Sequence, residues 1–99
     1  MDKKRQSNPY YHVSLGNTAY KNKAYRDAIK HFHKAKRLDK KLHDSYFGLA
    51  RTYYQLGDFK HAYKQLRLAN KHADFEHDKK RYQSKLKALS NMTAKTNDF

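Results

Sequence analysis

Residues 15–35 read LGNTAYKNKAYRDAIKHFHKA, and residues 49–69 read LARTYYQLGDFKHAYKQLRLA. Sliding the chain so that Leu15 falls on Leu49 places the first stretch on the second. Residue types agree at large and small positions, as in the pairs Phe32 and Leu66, Ala28 and Ala62, and Ala35 and Ala69. A fixed period of about 34 residues is typical of stacked helical repeats, in which each unit buries its apolar face against its neighbours.

Helical spacing extends through and beyond the repeated stretches. Asn8 and Pro9 are a typical cap and first-turn residue, so we predict that a first helix begins there. Gly57 and Asp58 are typical of a helix end and of the next helix cap. Apolar residues three and four positions apart predict five helices, namely Pro9–Lys21, Tyr25–Leu38, His43–Gln55, Phe59–His72 and a fifth from about residue 75 to residue 90 or beyond.

The predicted fold class is all-α, and the chain divides into five segments. They are a disordered basic arm over residues 1–8, a first hairpin over 9–41, a second hairpin over 42–74, a capping helix over 75–92 and a flexible tail over 93–99. The last helix departs from the repeat pattern. We expect it to cover the apolar face that the second hairpin would otherwise leave exposed.

The chain is strongly basic for its size. Its 99 residues suffice for one small domain, and 23 Lys and Arg against 9 acidic residues give a formal net charge of +14. This excess predicts attraction to an acidic protein, to nucleic acid or to an anionic membrane, and the alternative is a surface that only confers solubility. The sequence has no Cys, which excludes disulfides and thiolate chemistry.

The sequence contains no targeting or membrane signal. The polar N-terminus excludes an intact secretory signal, and we find no apolar stretch long enough to span a membrane. We therefore expect a cytoplasmic protein. A leader or anchor trimmed from the chain would leave no trace in it.

The repeated residues resemble the tetratricopeptide repeat, a helix–turn–helix unit of about 34 residues. The resemblance covers most of the chain as two repeats plus a C-terminal capping helix, and it implies antiparallel hairpins stacked as a short right-handed superhelix. The matching residues are Leu15, Gly16, Asn17, Tyr25, Ala28, Phe32 and Ala35 in the first unit, and Tyr46, Leu49, Ala50, Tyr53, Gly57, Asp58, Phe59, Ala62, Leu66 and Ala69 in the second.

The chain departs from the family pattern at several positions. His12 stands where an aromatic residue is usual, unless Tyr11 takes that place. Lys40 and Asp74 replace the proline that closes each unit, and Lys23 replaces the glycine of the first turn. These departures bear on helix ends and packing angles.

The resemblance implies that the first helix of each unit lines a concave groove, which holds an extended peptide or a partner helix. Asn17, Arg51 and Lys85 occupy the same position in successive repeat lengths and would form one row along its floor. The residues assigned to the groove are Tyr10, Val13, Asn17, Tyr20, Lys21, Phe47, Arg51 and Tyr54, with Arg81 and Lys85 from the capping helix.

Amide and cationic donors beside aromatic faces predict a site for a partner that carries carboxylates. Arg pairs with a carboxylate through two hydrogen bonds, and Tyr offers contact area at a low entropy cost. We expect a non-enzymatic adaptor or scaffold that binds a peptide or helix of an acidic partner protein. In the alternative interpretation, Phe47 and Tyr54 pack against the neighbouring hairpin and Arg51 extends into water.

A second basic surface is predicted on the convex face. It could attract nucleic acid or the ribosome through phosphate contacts, which would make the chain a charge-driven nucleic-acid-associated protein. The alternative is a solvated charged face. The residues of this face are Arg26, Lys30, Lys34 and Arg37 on the second helix and Lys60, Lys64, Arg67 and Lys71 on the fourth.

The sequence offers no catalytic motif, and we expect neither an enzyme nor a cofactor. None of the seven His residues has another His three or four positions away, which argues against a helical metal site.

Two units are few for a stack of this kind, because each hairpin depends on its neighbours for burial. An uncovered end face would therefore allow self-association.

Overall fold

In a computed structural model, which describes the backbone of residues 6–96 and the side chains of residues 6–92, the chain folds into five α-helices. This described range contains no strand, so the all-α prediction is confirmed. The first four helices have the predicted bounds. The helices are α1 (Pro9–Lys21), α2 (Tyr25–Leu38), α3 (His43–Gln55), α4 (Phe59–His72) and α5 (Glu76–Thr96).

The helix caps predicted from the sequence are present. The Asn8 side chain accepts a hydrogen bond of 2.9 Å from the backbone N–H of Tyr10, and Pro9 opens α1. Asp58 accepts a hydrogen bond of 3.2 Å from the backbone N–H of His61 at the start of α4. Each cap satisfies a backbone donor that the first helical turn leaves without an intrahelical partner.

The turns inside the two hairpins have the same left-handed backbone conformation. Gly57 has a φ of 78°, and Lys23, the equivalent residue of the first hairpin, has a φ of 61°. Glycine adopts this conformation without a steric cost, whereas Lys does so with its Cβ close to the backbone. The first turn therefore keeps the geometry of the second although its sequence lacks the glycine.

Consecutive helices pack against each other, and α1 also contacts α3. The described contacts place equivalent helices side by side in the same direction. Asn17 of α1 bonds to Arg51 of α3, and the rings of Phe47 and Tyr82 lie 5.3 Å apart between α3 and α5. The molecule measures 47 × 30 × 19 Å, which matches a short single layer of stacked hairpins.

The first core is built around the fully buried ring of Phe32 in α2. A Cβ atom added to Gly16 of α1 would lie 2.7 Å from this ring, and one added to Gly48 of α3 would lie closer still. Both glycines therefore provide space that the ring fills. As a result, α2 is held between α1 and α3 by one aromatic side chain.

A second core joins the last three helices. Tyr46 and Ala50 of α3, Leu66 of α4, and Tyr82 and Leu89 of α5 are buried in one cluster. Small residues at the crossing points, including Ala62 and Ala69, are fully buried. As predicted, α5 covers the apolar face of the second hairpin.

Two predictions at the chain ends need correction. The fifth helix ends at Thr96, so the predicted flexible tail continues this helix to Thr96, and residues 97–99 lie outside the described residues. Of the predicted basic arm, residues 1–5 lie outside the described residues. The backbone carbonyl of Gln6 forms a hydrogen bond of 2.8 Å with Nε2 of His12, which ties this part of the arm to α1.

His12 takes the aromatic position at the start of the first unit. It is 3% exposed, and its equivalent in the second unit is the buried Tyr46. Tyr11, the other candidate for this position, is half-buried and lies edge-on to His12 with 5.3 Å between the ring centroids.

Replacing Gly48 by Ala tests the packing of the Phe32 ring against this glycine. Gly to Ala inside a helix ordinarily stabilises by about 1 kcal/mol. Here we expect a loss of about 1–3 kcal/mol in the free energy of unfolding, because the added methyl group overlaps the ring. Urea denaturation of Gly48→Ala measures the loss, and Ser14→Ala, at an exposed position of α1, is the control. A stabilised Gly48→Ala would contradict this packing.

Replacing Lys23 by Gly tests the strained turn. We expect Lys23→Gly to raise the free energy of unfolding by about 0.5–1 kcal/mol, because glycine removes the cost of the left-handed conformation. Asn22→Gly, one residue earlier at a negative φ of −84°, is expected to be neutral or destabilising. Thermal denaturation compares the two variants, and equal melting temperatures would count against the strain at Lys23.

Candidate functional site

A cleft of about 440 Å³ opens between α3 and α5. Along the described residues, the backbones of these two helices do not meet, and side chains bridge the space between them. The lining is mainly apolar, with two cationic side chains at its edge. It consists of Tyr20, Phe47, Ala50, Arg51, Tyr54, Gln55, Leu66, Lys85, Ala88, Leu89 and Met92.

Arg51 is the fixed cation of this cleft. Its Nη2 donates a hydrogen bond of 2.5 Å to Oδ1 of Asn17, and its guanidinium carbon lies 4.2 Å from the centroid of the Tyr20 ring. The Phe47 ring lies 5.8 Å from the same carbon. These contacts hold the guanidinium between two aromatic rings, an arrangement that favours a positive charge.

Arg51 still has unused hydrogen-bonding capacity. Its Nε atom is buried and has no hydrogen-bond partner, and no carboxylate among the described residues pairs with its guanidinium. Asn17 accepts from Nη2 alone, so other terminal N–H groups of the guanidinium remain for a ligand acceptor. A carboxylate bound here would therefore gain both charge and hydrogen-bond complementarity.

The α5 side of the cleft contributes two further cations of unequal availability. Lys85 lines the cleft, and its Nζ lies 5.9 Å from the Phe47 ring centroid. Arg81 lies 5.0 Å from the same ring, and its Nη2 is 3.6 Å from the carboxylate of Asp78. Arg81 is thus partly neutralised, which leaves Lys85 as the freer charge.

A polar cluster joins the N-terminal parts of α3 and α5 near one end of the cleft. Nδ1 of His43 and the hydroxyl of Tyr82 share a hydrogen bond of 2.7 Å, and Nε2 of His43 lies 3.9 Å from Asp78. Burial raises the pKa of the Tyr82 hydroxyl, so this group stays protonated and able to donate. The cluster fixes the spacing of the two helices that form the cleft walls.

The convex face carries the predicted basic residues on its surface. All eight, which are Arg26, Lys30, Lys34, Arg37, Lys60, Lys64, Arg67 and Lys71, are exposed. Lys36 lies beside them, where burial and the charge of Lys64 lower its pKa. Burial is the main cause of this lowered pKa, and the smaller effect of Lys64 reflects the positive charges that α2 and α4 place near each other.

A second groove, of about 840 Å³, runs along α4 on this face. It shares no lining residue with the cleft between α3 and α5. Its lining consists of Lys60, His61, Tyr63, Lys64, Arg67, Leu68, Asn70 and Lys71 of α4, together with Leu86 of α5.

A family profile described as regulator of microtubule dynamics protein 1-3 matches residues 13–94, which is most of the chain. The chain belongs to this family. The matched range includes all of α2, α3 and α4 and most of α1 and α5, and hence all the residues that line the cleft. A comparison with curated proteins finds no match. The family profile is not a tetratricopeptide profile, and that resemblance stays a prediction.

Five of the predicted groove residues line the cleft of this family member, namely Tyr20, Phe47, Arg51, Tyr54 and Lys85. The other five lie outside the lining. Asn17 holds Arg51, Val13 packs against the Phe32 core, Arg81 contacts Phe47, and Tyr10 and Lys21 are exposed.

Both parts of the alternative interpretation can be compared with the structure. Phe47 does pack against the next helix, through Tyr82. Tyr54 is 42% exposed, and its ring lies 5.4 Å from that of Phe59. Arg51 is half-buried between aromatic rings and does not extend freely into water.

Sequence reasoning missed the apolar floor of the cleft as part of the site. The sequence marks Leu66 only as a repeat position and gives Ala88, Leu89 and Met92 no place in the groove, yet all four line the cleft. The helical spacing of Leu89 and Met92 contained this signal. Its meaning depended on the separation of α3 and α5, which the sequence does not show.

The described residues contain no group of three or more His, Cys, Asp or Glu side chains placed to hold a metal ion. Among the helices that the structure describes, none has the length and apolar character needed to cross a membrane.

His33 on α2 makes the stability of the folded chain depend on pH. Burial, followed by the charges of Lys36 and Arg37, lowers its pKa below 6.5. As the pH falls below about 6.5, His33 takes up a proton in the unfolded chain before it does so in the folded chain. Protonation of His33 therefore leaves the free energy of unfolding unchanged above about pH 6.5 and lowers it as the pH falls. We expect His33→Gln to lose less stability than the unmodified chain between pH 7.5 and 5.5.

Urea denaturation at the two pH values measures this difference. His77→Gln, whose imidazole side chain is 83% exposed, is the control variant. An equal loss of stability in the unmodified chain and in His33→Gln would contradict the assignment.

Proposed function

We propose that this chain is a non-enzymatic adaptor, and that the cleft between α3 and α5 binds an acidic peptide or helix of a partner protein. Tetratricopeptide-like stacking of the two hairpins provides the scaffold in this proposal. The observation that carries it is Arg51, a half-buried cation that lines the cleft and has no carboxylate partner among the described residues.

The surroundings of Arg51 determine the chemistry of the ligand. Asn17 occupies one guanidinium N–H, and the rings of Tyr20 and Phe47 restrict how the group can turn. A carboxylate in the cleft can accept a charge-assisted hydrogen bond from the terminal guanidinium N–H groups that Asn17 leaves free, with Lys85 as a second positive charge nearby. Partial burial strengthens this attraction relative to bulk water.

The apolar floor adds a second requirement. Leu66, Leu89 and Met92 lie under the opening of the cleft, and an apolar side chain of the partner can displace water from them. The best ligand therefore carries a carboxylate beside an apolar residue. A segment with acidic residues alone would pair with the two cations, and the apolar floor of the cleft would stay hydrated.

The family description supplies the biological context for this proposal. It names regulators of microtubule dynamics, so we propose that the acidic partner belongs to microtubules or to a protein bound to them. Co-sedimentation of the chain with assembled microtubules is the first test of this context. If Arg51→Glu abolishes binding to microtubules and Arg37→Glu does not, the cleft is the site of that binding.

Charge reversal at Arg51 tests the cleft itself. The probe is a fluorescent peptide of alternating Glu and Leu, and its Gln and Leu counterpart measures the contribution of charge. We expect Arg51→Glu to raise the dissociation constant at least tenfold, because it removes the guanidinium and repels the peptide. Arg51→Met should weaken binding less, because it removes the charge without adding repulsion.

The control is Arg37→Glu, which makes the same change of charge at an exposed position on α2. We expect a change of less than about threefold from the long-range field alone. Circular dichroism establishes that each variant is folded. An affinity for Arg51→Glu equal to that of the unmodified chain would remove the cleft as the binding site.

A further inference from the structure

The groove along α4 carries a row of four exposed cations, which the cleft lacks. Lys60, Lys64, Arg67 and Lys71 follow one another at successive turns and are all exposed. At 1.5 Å per residue, this row extends about 16 Å along the helix. None of the described residues that line the groove is acidic. The nearby carboxylate of Asp58 is held by His61 at 2.7 Å.

The floor of this groove is apolar. Tyr63 and Leu68 of α4 and Leu86 of α5 are half-buried and pack against the second core. Beside them, Oδ1 of Asn70 is buried and has no hydrogen-bond partner among the residues that the structure describes. A row of cations above an apolar strip is complementary to a helix that has acidic and apolar residues on one face.

Three other partners fit this surface less well. A second copy of the chain carries the same net charge of +14 and would be repelled by the row of cations. A nucleic-acid backbone would use the four cations, but its phosphates gain nothing from Leu68 and Leu86. A further repeat stacked on α5 would need an apolar outer face, whereas the exposed positions there include Lys80, Gln83 and Lys87.

We propose that the groove along α4 is a second protein-docking site, which binds an amphipathic acidic helix of a partner protein. Carboxylates of the partner pair with Lys60, Lys64, Arg67 and Lys71, and its apolar residues cover Leu68 and Leu86. Since the groove and the cleft share no lining residue, the chain can hold two acidic segments at the same time. The groove does not depend on whether the cleft binds a ligand.

The repeat supplies a matched pair of variants for the test. Lys64→Glu with Lys71→Glu reverses two charges inside the groove. Lys30→Glu with Arg37→Glu reverses the charges at the equivalent positions of α2, outside the groove. All four positions are exposed, so both double variants are expected to fold, and circular dichroism establishes this.

The probe is a synthetic helical peptide with Glu at four positions spaced like the four cations and Leu on the adjoining stripe. Three comparison ligands accompany it, which are a scrambled peptide of the same composition, a peptide with Ser in place of Leu, and a single-stranded RNA of equal charge. Fluorescence anisotropy at physiological salt measures each dissociation constant.

We expect the groove variant to weaken binding of the helical peptide at least tenfold and the α2 variant to weaken it less than threefold. The scrambled peptide and the Ser peptide should each bind at least fivefold more weakly than the helical peptide. Equal effects of the two double variants, or equal binding of helical and scrambled peptides, would overturn the proposal. RNA that binds more tightly than the peptide and responds equally to both double variants would assign the whole convex face to nucleic acid.

Discussion

The arrangement of this chain depends on the ring of Phe32, which lies between two glycines on different helices. Gly16 and Gly48 leave no room for a Cβ against that ring, so α1 and α3 can both approach α2 only because neither has a side chain there. Because the ring fills both spaces, it fixes the axial position of the two outer helices relative to α2. The parallel alignment of α1 and α3 follows from this contact.

That alignment creates the candidate binding site. With α1 and α3 in step, Asn17 meets Arg51 at the equivalent position of the next unit, and Tyr20 stacks on the same guanidinium. A shift of one helical turn, about 5.4 Å, would separate both contacts. The cleft itself arises at the next junction, where Phe47 and Tyr82 meet near its end while the α3 and α5 backbones stay apart. The tight packing of α1 against α3 thus forms the scaffold, and the looser packing of α3 against α5 forms the site.

Much of this could be predicted from the sequence, because the deciding signals are local or periodic. Pro9 and Gly57 mark helix boundaries through backbone chemistry, and the repeat offset brings equivalent positions together. The offset also placed Asn17 and Arg51 in one row, although it did not show that they bond to each other. The sequence left the end of α5 open, and the helix reaches Thr96, because its last turns lack strong apolar spacing. The apolar floor with Met92 was missed because it depends on the distance between two helices.

Nuclear Overhauser effects from the aromatic protons of Phe32 test the central contact most directly. The structure places this ring against the α-carbons of both Gly16 and Gly48. We therefore expect cross-peaks from the ring to the Hα protons of both glycines, together with displaced Hα chemical shifts from the ring current. Cross-peaks to one glycine alone, or to neither, would show that Phe32 does not join α1 and α3, and the alignment that forms the cleft would lose its basis.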